Sequence, residues 1–214
     1  MGSLLLVRHA PTDASHDGRN LGQRSDPPLS AAGLLLAARL GALLAAEVAA
    51  LPPGALRLVT SPALRCRQTA EAIATSLPDP PPAEVAVGLA EIDYGRWDGL
   101  TPDECTALDS GLRSAWEADP FATRTPDGES GADVAARAFP VLIEIRGWLT
   151  DDPSRCAIVV AHNHVNRLWL TALSDWPMAD YRRRLSQDAA GYSLVQLDGG
   201  VPLLRRLNAG LTPD

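Results

Sequence analysis

Apolar positions along the chain fall into two rhythms. Four short runs, Leu4 to Val7, Leu56 to Val59, Cys156 to Ala161 and Tyr192 to Leu197, have strand length, and longer Ala/Leu-rich stretches with helical spacing separate them. Apolar runs that short, bounded by polar or turn residues, read as strands buried within a sheet. Their alternation with helices predicts an α/β fold, a three-layer, mostly parallel sheet flanked by helices. The first long helix is predicted to follow Ser30 as N-cap and run to about Ala50, where Pro52-Pro53-Gly54 stops it; Gly33 in its first turn costs little. A second is predicted to begin at Ser61-Pro62, the hydroxyl capping it, to carry Arg65, Gln68 and Thr69 on neighbouring turns, and to fade by Pro78. The following run Pro80-Pro81-Pro82 reads as a stiff loop.

Between Thr101 and Leu149 the pattern turns wholly helical. Thr101-Pro102-Asp103-Glu104 has the form of a capping box, and Ser130 with Asp133 opens another helix after a Gly/Pro-rich break. The segment from about 101 to 150 is expected to form a small helical lobe inserted beside the sheet, within one domain spanning residues 1–214.

Charge narrows the function classes. The 214 residues include 26 acidic and 19 basic side chains, a net charge of −7 with no basic block, which argues against a nucleic-acid partner. A locally cationic pocket for a small anion remains compatible with that balance. The longest apolar stretches, Leu34 to Ala38 and Leu40 to Ala46, are broken by Arg39 and Glu47 and fall short of the roughly 20 residues that span a bilayer, so no membrane partner is expected. Met1 to Val7 lacks a basic leader and reads as a buried strand. Cys66, Cys105 and Cys156 are odd in number and scattered, which fits a reduced, cytoplasmic protein. Arg182-Arg183-Arg184, the compact basic run, reads as a solvated helix face balanced by nearby acids.

Three of the strands end in groups able to handle phosphate: β-type run Leu4–Val7 in Arg8-His9, Leu56–Val59 in Thr60-Ser61-Pro62 with Arg65 a turn later, and Cys156–Ala161 in His162-Asn163. In parallel sheets the loops beyond the carboxyl ends of strands line the binding crevice, so these groups are expected to converge. His16 and His164 read as structural or surface histidines, and the neighbours Asp13, His16 and Asp17 do not make a metal site.

The segment Leu6-Val7-Arg8-His9-Ala10-Pro11-Thr12 resembles the Arg-His-Gly-Glu-Thr signature of the histidine phosphatase (phosphoglycerate-mutase-like) superfamily. Asp26-Pro27-Pro28-Leu29-Ser30-Ala31-Ala32-Gly33 is similar to its Asp-x-Pro-Leu-Thr-x-x-Gly helix entry, and Thr60 to Ala70 to its Ser-Pro-x-x-Arg-x-x-Gln-Thr-Ala segment. Leu89 to Gly99 is similar to its Leu-x-Glu-x-x-Tyr/Phe-Gly-x-Trp-Glu-Gly block, and Gly128-Glu129-Ser130 with the strand ending in His162 completes the order.

The resemblance implies a metal-independent phosphomonoesterase, without a cofactor, acting on a small phosphate ester. It makes His9 the nucleophile that forms a phosphohistidine, Arg8 and Arg65 the holders of the phosphoryl oxygens, His162 an imidazole that stabilises shifting charge, and Glu91 the general acid and later base. Glu91 needs a raised pKa for that work, and His9 needs an acceptor on its other ring nitrogen, which the sequence does not name. Ser15, Gly22, Tyr94 and Asn163 fall at substrate-contacting positions. Ser15 stands where the family has a phosphate-contacting Asn, six residues after the nucleophile. Asn163 replaces a Gly and is left with its backbone N–H at a helix start, and Ala10 and Pro11 replace the signature's Gly and Glu. Asn20 is out of register. The substrate type implied is a sugar phosphate or a ribazole phosphate of cobamide assembly, and a homodimer is compatible with the resemblance. Trp97, Trp116 and Phe121 line an apolar recess or belong to the core. Two other readings stand beside this one: a cofactor-dependent phosphoglycerate mutase, against which the compact insertion and the chain end at Asp214 weigh, and a non-catalytic phosphate-binding module.

Overall fold

The computed structural model describes residues 1–210; residues 211–214, including the chain end at Asp214, and the side chain of His16 lie outside the described residues. All four expected strands form, with two more: β1 (Gly2–Arg8), β2 (Leu56–Thr60), β3 (Ala83–Val85), β4 (Cys156–Ala161), β5 (Tyr192–Asp198) and β6 (Val201–Ala209). They make one six-stranded sheet in the order β3-β2-β4-β1-β5-β6. The first four of that order are parallel, while β5 and β6 join antiparallel. The two additional strands lie at the sheet edges, where β3 is exposed throughout and β6 mixes exposed with half-buried residues, so neither carries a continuous buried apolar run.

Among the described residues the α-helices are α1 (Asp13–His16), α2 (Ala31–Val48), α3 (Leu64–Ser76), α4 (Pro102–Leu108), α5 (Ser110–Ala118), α6 (Gly131–Asp151), α7 (Asn163–Leu173) and α8 (Tyr181–Arg184). Strand alternation sorts the core into two layers. Leu5, Val7, Leu58, Ile158 and Val160 pack with Leu40, Leu44, Ala70 and Ile73 of α2 and α3. Leu4, Leu6, Val59 and Val159 pack on the other face with Leu142, Ile145 and Leu168 of α6 and α7. Each such fully buried aliphatic side chain contributes about 1.5–3 kcal/mol.

α2 is the expected first helix, with Ser30 Oγ accepting from Gly33 N–H. The helix runs through Arg39 and Glu47 as predicted; its 18 residues, mean hydropathy 1.7, are long and apolar enough to cross a bilayer, which the shorter apolar stretches between those charges are not. One stripe of it, Gly33, Ala37, Leu40, Gly41, Leu44 and Val48, is buried in the core beside α3. Gly33 is more than tolerated: a Cβ there would lie 2.0 Å from Pro11 O, because α2 docks its first turn on the loop after His9.

α3 starts later than predicted. Its N-cap is Ala63, and the first-turn N–H of Leu64 donates to the Asp26 carboxylate at 2.9 Å, freeing Ser61 for another partner. Both capping boxes of the 101–150 stretch form. α4 pairs with α5, whereas α6 lies against β1, β4 and α7 as part of a sheet-covering layer.

Candidate active site

Parallel register brings the strand ends together. Arg8 pairs with Ala161 and Thr60 with Val160, so β1, β4 and β2 end on one edge of the sheet. There His9 N–H donates to Ala161 O at 3.0 Å and Ser61 N–H to Val160 O at 2.9 Å. The convergence expected from three separate strand ends is a property of the fold.

His9 is buried, and its Nδ1 lies 2.8 Å from Ala10 O. A carbonyl oxygen only accepts, so Nδ1 carries the proton and Nε2 is left as the basic nitrogen. Burial first, then the charges of Arg65 and Arg8, hold its pKa well below the usual histidine range, which keeps the ring neutral. The Ala10 loop is anchored in turn: its N–H donates to Thr69 Oγ1 at 3.0 Å, and the Thr69 hydroxyl donates to Arg65 O at 2.8 Å.

Arg65 is 1% exposed and gripped by the loop before α2. Nη1 donates to Ser25 O at 3.2 Å and Asp26 Oδ1 at 3.3 Å, and Nη2 donates to Gly22 O at 3.0 Å. Arg8 donates through Nη1 to Gln187 O. Arg8 Nε and Arg65 Nε are buried with no hydrogen-bond partner among the described residues. An unpaired buried donor costs about 1–3 kcal/mol, and two such donors on charged guanidinium groups suit a polyoxyanion. Gly22 serves this arrangement through its backbone: a Cβ would meet Ile92 O at 2.6 Å, so only glycine brings the carbonyl under Arg65.

His162 is fully buried, its ring 5.3 Å from that of His9 and tilted at 65° to it. Its Nε2 lies 2.7 Å from Ser61 Oγ and its Nδ1 lies 3.4 Å from Arg65 Nη2. Both ring nitrogens are therefore engaged by protein groups, and the imidazole orients Arg65 in this geometry.

Glu91 is buried, and burial pushes its carboxyl pKa up against the opposing pull of the Ile92 N–H and of Arg65. Oε1 accepts from Ile92 N–H at 3.0 Å and Oε2 from His164 N–H, at the start of α7, at 3.4 Å. Its backbone is pinned by Arg137, which donates to Ala90 O at 2.6 Å and Glu91 O at 2.9 Å while pairing with Glu129 at 2.8 Å.

His9, Glu91 and Arg8 share a cavity of about 230 Å³ with Ser15, Arg19, Asn20, Tyr94, Asn163, His164 and Arg182. Gly22 and Arg65 border an adjoining recess that also reaches Glu91. Ser15 stands at the cavity wall, yet its hydroxyl closes a capping box, donating to Thr12 O at 2.8 Å and accepting from Thr12 N–H at 2.9 Å. Asn163 lines this cavity, and its buried Oδ1 has no partner among the described residues. Tyr94 combines packing with a polar tip: its hydroxyl lies 2.8 Å from His164 Nε2, and His164 Nδ1 lies 2.6 Å from Tyr181 OH. His164 is thus the structural histidine expected, and Trp97 and Trp116 are core residues, with Phe121 packed against that core. Among the described residues no group of three or more His, Cys, Asp or Glu side chains is placed to hold a metal.

Gln187 and Arg137 carry no signal in the sequence, yet both position catalytic candidates: Gln187 O accepts from Arg8, and the Arg137 guanidinium donates to Glu91 O. Asp26 and Ser61, which stand in the sequence motifs, hold Arg65 and His162 through their side chains. Arg182, in sequence one of three equivalent residues of a solvated face, lines the cavity, while Arg183 and Arg184 pair with Asp180.

The sequence profile of the histidine phosphatase superfamily (branch 1) matches residues 4–210. A glucosyl-3-phosphoglycerate phosphatase of Mycobacterium tuberculosis is 34% identical over 186 residues, covering 83% of this chain and 78% of the relative. A 2,3-bisphosphoglycerate-dependent phosphoglycerate mutase of Azorhizobium caulinodans is 29% identical over 217 residues, covering 98% and 94%. Among solved structures, the mycobacterial glucosyl-3-phosphoglycerate phosphatase in complex with VO3 superposes with a TM-score of 0.83 at 27% identity, covering 98% of this chain and all of that one (100%).

Proposed function

Because the chain belongs to the histidine phosphatase superfamily (branch 1) and is a phosphatase of that family, we propose that it hydrolyses a small phosphorylated metabolite of the sugar-phosphate type through a phosphohistidine at His9, without a metal. The observation that carries the mechanism is the fixed tautomer of His9, neutral and with Nε2 basic, between two arginines whose Nε–H groups are unpaired. Nε2 attacks phosphorus in line with the ester oxygen, so that the N–P bond forms as the P–O bond breaks. Arg8 and Arg65 hold the equatorial oxygens and take up the charge that develops on them, which is the main service a protein renders to phosphoryl transfer. Protonated Glu91 gives its proton to the departing alkoxide; its carboxylate then takes a proton from water, which attacks phosphorus and returns His9 to its starting form. Of the two substrate types expected, the sugar-phosphate type is favoured by the 34% identity to a glucosyl-3-phosphoglycerate phosphatase.

The test is chemical trapping. Wild-type protein mixed with a phosphate ester labelled on phosphorus should yield an acid-labile, base-stable adduct, and His9→Ala should yield none and release no phosphate. Turnover that survives His9→Ala would sink the mechanism. The full-length likeness to a mutase supports a second reading, in which the phosphoryl group passes to a second phosphoglycerate instead of water. A coupled mutase assay with and without 2,3-bisphosphoglycerate separates the two.

A further inference from the structure

Taking the proposed placement of the phosphoryl group at His9 as its basis, we infer that the same cavity holds a second anionic group of the substrate, with Arg182 as its anchor. The cavity wall carries Arg8, Arg19 and Arg182 against a single carboxylate, Glu91. Arg8 and the neighbouring Arg65 suffice for one phosphoryl group. Arg19 lies at the rim, satisfied by Gly99 O at 2.8 Å and Glu104 at 3.1 Å. Arg182 is different. Its guanidinium lies 4.3 Å from the ring centroid of fully buried Trp116, and Nη1 pairs with Glu117 at 2.8 Å, so its plane is fixed from two directions. Its Nε is nevertheless buried with no partner among the described residues, and so is Nε of Arg167 from α7. Burial depresses the protonation of both His164 and Arg167, and the neighbouring charges add to it: Arg182, Arg167 and Arg8 on His164, and Arg182 and Arg8 on Arg167.

Like charges gathered around a neutral histidine repel one another, and unpaired buried N–H donors add to the cost; an oxyanion placed among them relieves both. A guanidinium held by stacking presents a planar edge that matches a carboxylate or a phosphate. The substrate class this selects is a phosphate monoester that carries a second negative group, one that an ester with a neutral tail does not supply. Arg182 then sets specificity and leaves the transfer chemistry to His9 and Glu91.

The test uses pairs of esters that share a skeleton and differ in distal charge: 3-phosphoglycerate against glycerol 3-phosphate, and fructose 1,6-bisphosphate against fructose 6-phosphate. Binding is measured by titration calorimetry on the full chain carrying His9→Ala, with and without Arg182→Gln or Arg182→Lys. In at least one pair the doubly anionic ester should bind about tenfold or more tightly than its partner, the equivalent of one charge-assisted hydrogen bond. Arg182→Gln should erase that advantage while leaving the affinity of the singly anionic ester within about twofold, and Arg182→Lys should restore part of it. The pair that shows the advantage identifies the second group as carboxylate or phosphate. Equal affinities within both pairs, an advantage that survives Arg182→Gln, or a parallel loss for both members of a pair would each overturn the inference. Because the readout is binding, a wild-type protein that released no phosphate from any ester would count against the phosphohistidine mechanism and leave this result standing.

Discussion

Ser61 Oγ lies 2.7 Å from His162 Nε2, on the opposite side of the imidazole from Arg65, whose Nη2 lies 3.4 Å from Nδ1. A guanidinium has no lone pair to offer, so Nδ1 must accept and the proton must sit on Nε2, where the serine hydroxyl receives it. One hydroxyl from the loop after β2 thereby fixes the tautomer of a histidine from the end of β4 and, through it, the orientation of an arginine from α3. Burial, reinforced by Arg65, keeps the ring neutral, so the arrangement does not switch near neutral pH.

Replacing Ser61 by Ala removes the close acceptor of the His162 Nε2–H and leaves it only the Cys66 sulfur at 3.4 Å, a weak acceptor, a cost of roughly 1 kcal/mol. Part should appear as a lower melting temperature and part as a weaker grip of Arg65 on phosphate. Nitrogen spectra of labelled histidine should show a single Nε2-protonated form for His162 in the wild type and a mixture in Ser61→Ala. An unchanged spectrum would mean that Arg65 alone sets the tautomer.

Glu91 gives the reaction a sign for its pH dependence. Burial raises its pKa, so the acid form persists above the ordinary carboxylate range and is lost as pH rises through the raised value. Turnover of alkyl phosphates should fall on that alkaline limb. Glu91→Gln should abolish the limb and slow alkyl phosphates by about 10²–10⁴-fold. With p-nitrophenyl phosphate, whose phenolate leaves without a proton, the first step should be spared; slow attack by water should then appear as a burst followed by a low steady rate. An equal loss for both esters in the first turnover would remove Glu91 from the role of acid.

Stability should fall on acidification for a reason visible in the core. His9, His162 and His164 are buried and held neutral, their pKa values well below the unfolded value of about 6.5. Below about pH 6.5 the unfolded chain takes up protons that the folded chain refuses, so each histidine subtracts up to about 1.4 kcal/mol per pH unit. Their contribution is complete above the unfolded pKa and lost as pH drops toward the folded one. Glu91, with a raised pKa, acts in the opposite sense and offsets part of the loss. Denaturant midpoints measured between about pH 7.5 and 5 should decline, and His164→Gln, placed between Tyr94 and Tyr181, should flatten the decline. A slope identical to that of wild type would exclude His164 from the titration.

What the sequence discloses follows from where its physics is local. β1, β2 and β4 are written as apolar runs because they are buried on both faces, and the groups at their ends, Arg8-His9, Ser61 and His162-Asn163, inherit their convergence from parallel pairing. The edge strands β3, exposed throughout, and β6, a mixture of exposed and half-buried residues, lose that signature. Ala10 O under His9 and Gln187 O under Arg8 are backbone acceptors, which no residue type announces, and the second lies 179 positions away along the chain. Arg182 is hidden for another reason: within Arg182-Arg183-Arg184 the residue types are identical, and only the packing of α8 on Trp116 turns one inward and leaves two outside.

Gly22 offers the sharpest test of how the loop before α2 sets the phosphate site. The residue makes no side-chain contact, yet its carbonyl accepts from Arg65 Nη2 at 3.0 Å, and a Cβ at this position would fall 2.6 Å from Ile92 O and 2.8 Å from Asp98 Oδ2. Backbone cannot yield as a flexible side chain can, so Gly22→Ala must push the loop away from the Ile92 backbone and carry the carbonyl with it. Overpacking of this kind costs about 1–3 kcal/mol. Arg65 would then lose one of the acceptors that orient it, while His9, held by Ala10 O, and Glu91, held by Ile92 N–H, keep theirs. The expected signature is a rise in KM and in the inhibition constant for inorganic phosphate of about tenfold, with a smaller change in kcat and an unaltered pH profile. Gly54→Ala is the control: that position, away from the cavity, has nothing within 4 Å of a Cβ, though its φ of +76° predicts a modest stability loss without a change in phosphate affinity. Should Gly22→Ala bind phosphate as tightly as wild type, the carbonyl grip on Arg65 is dispensable and the close packing of this loop serves stability alone.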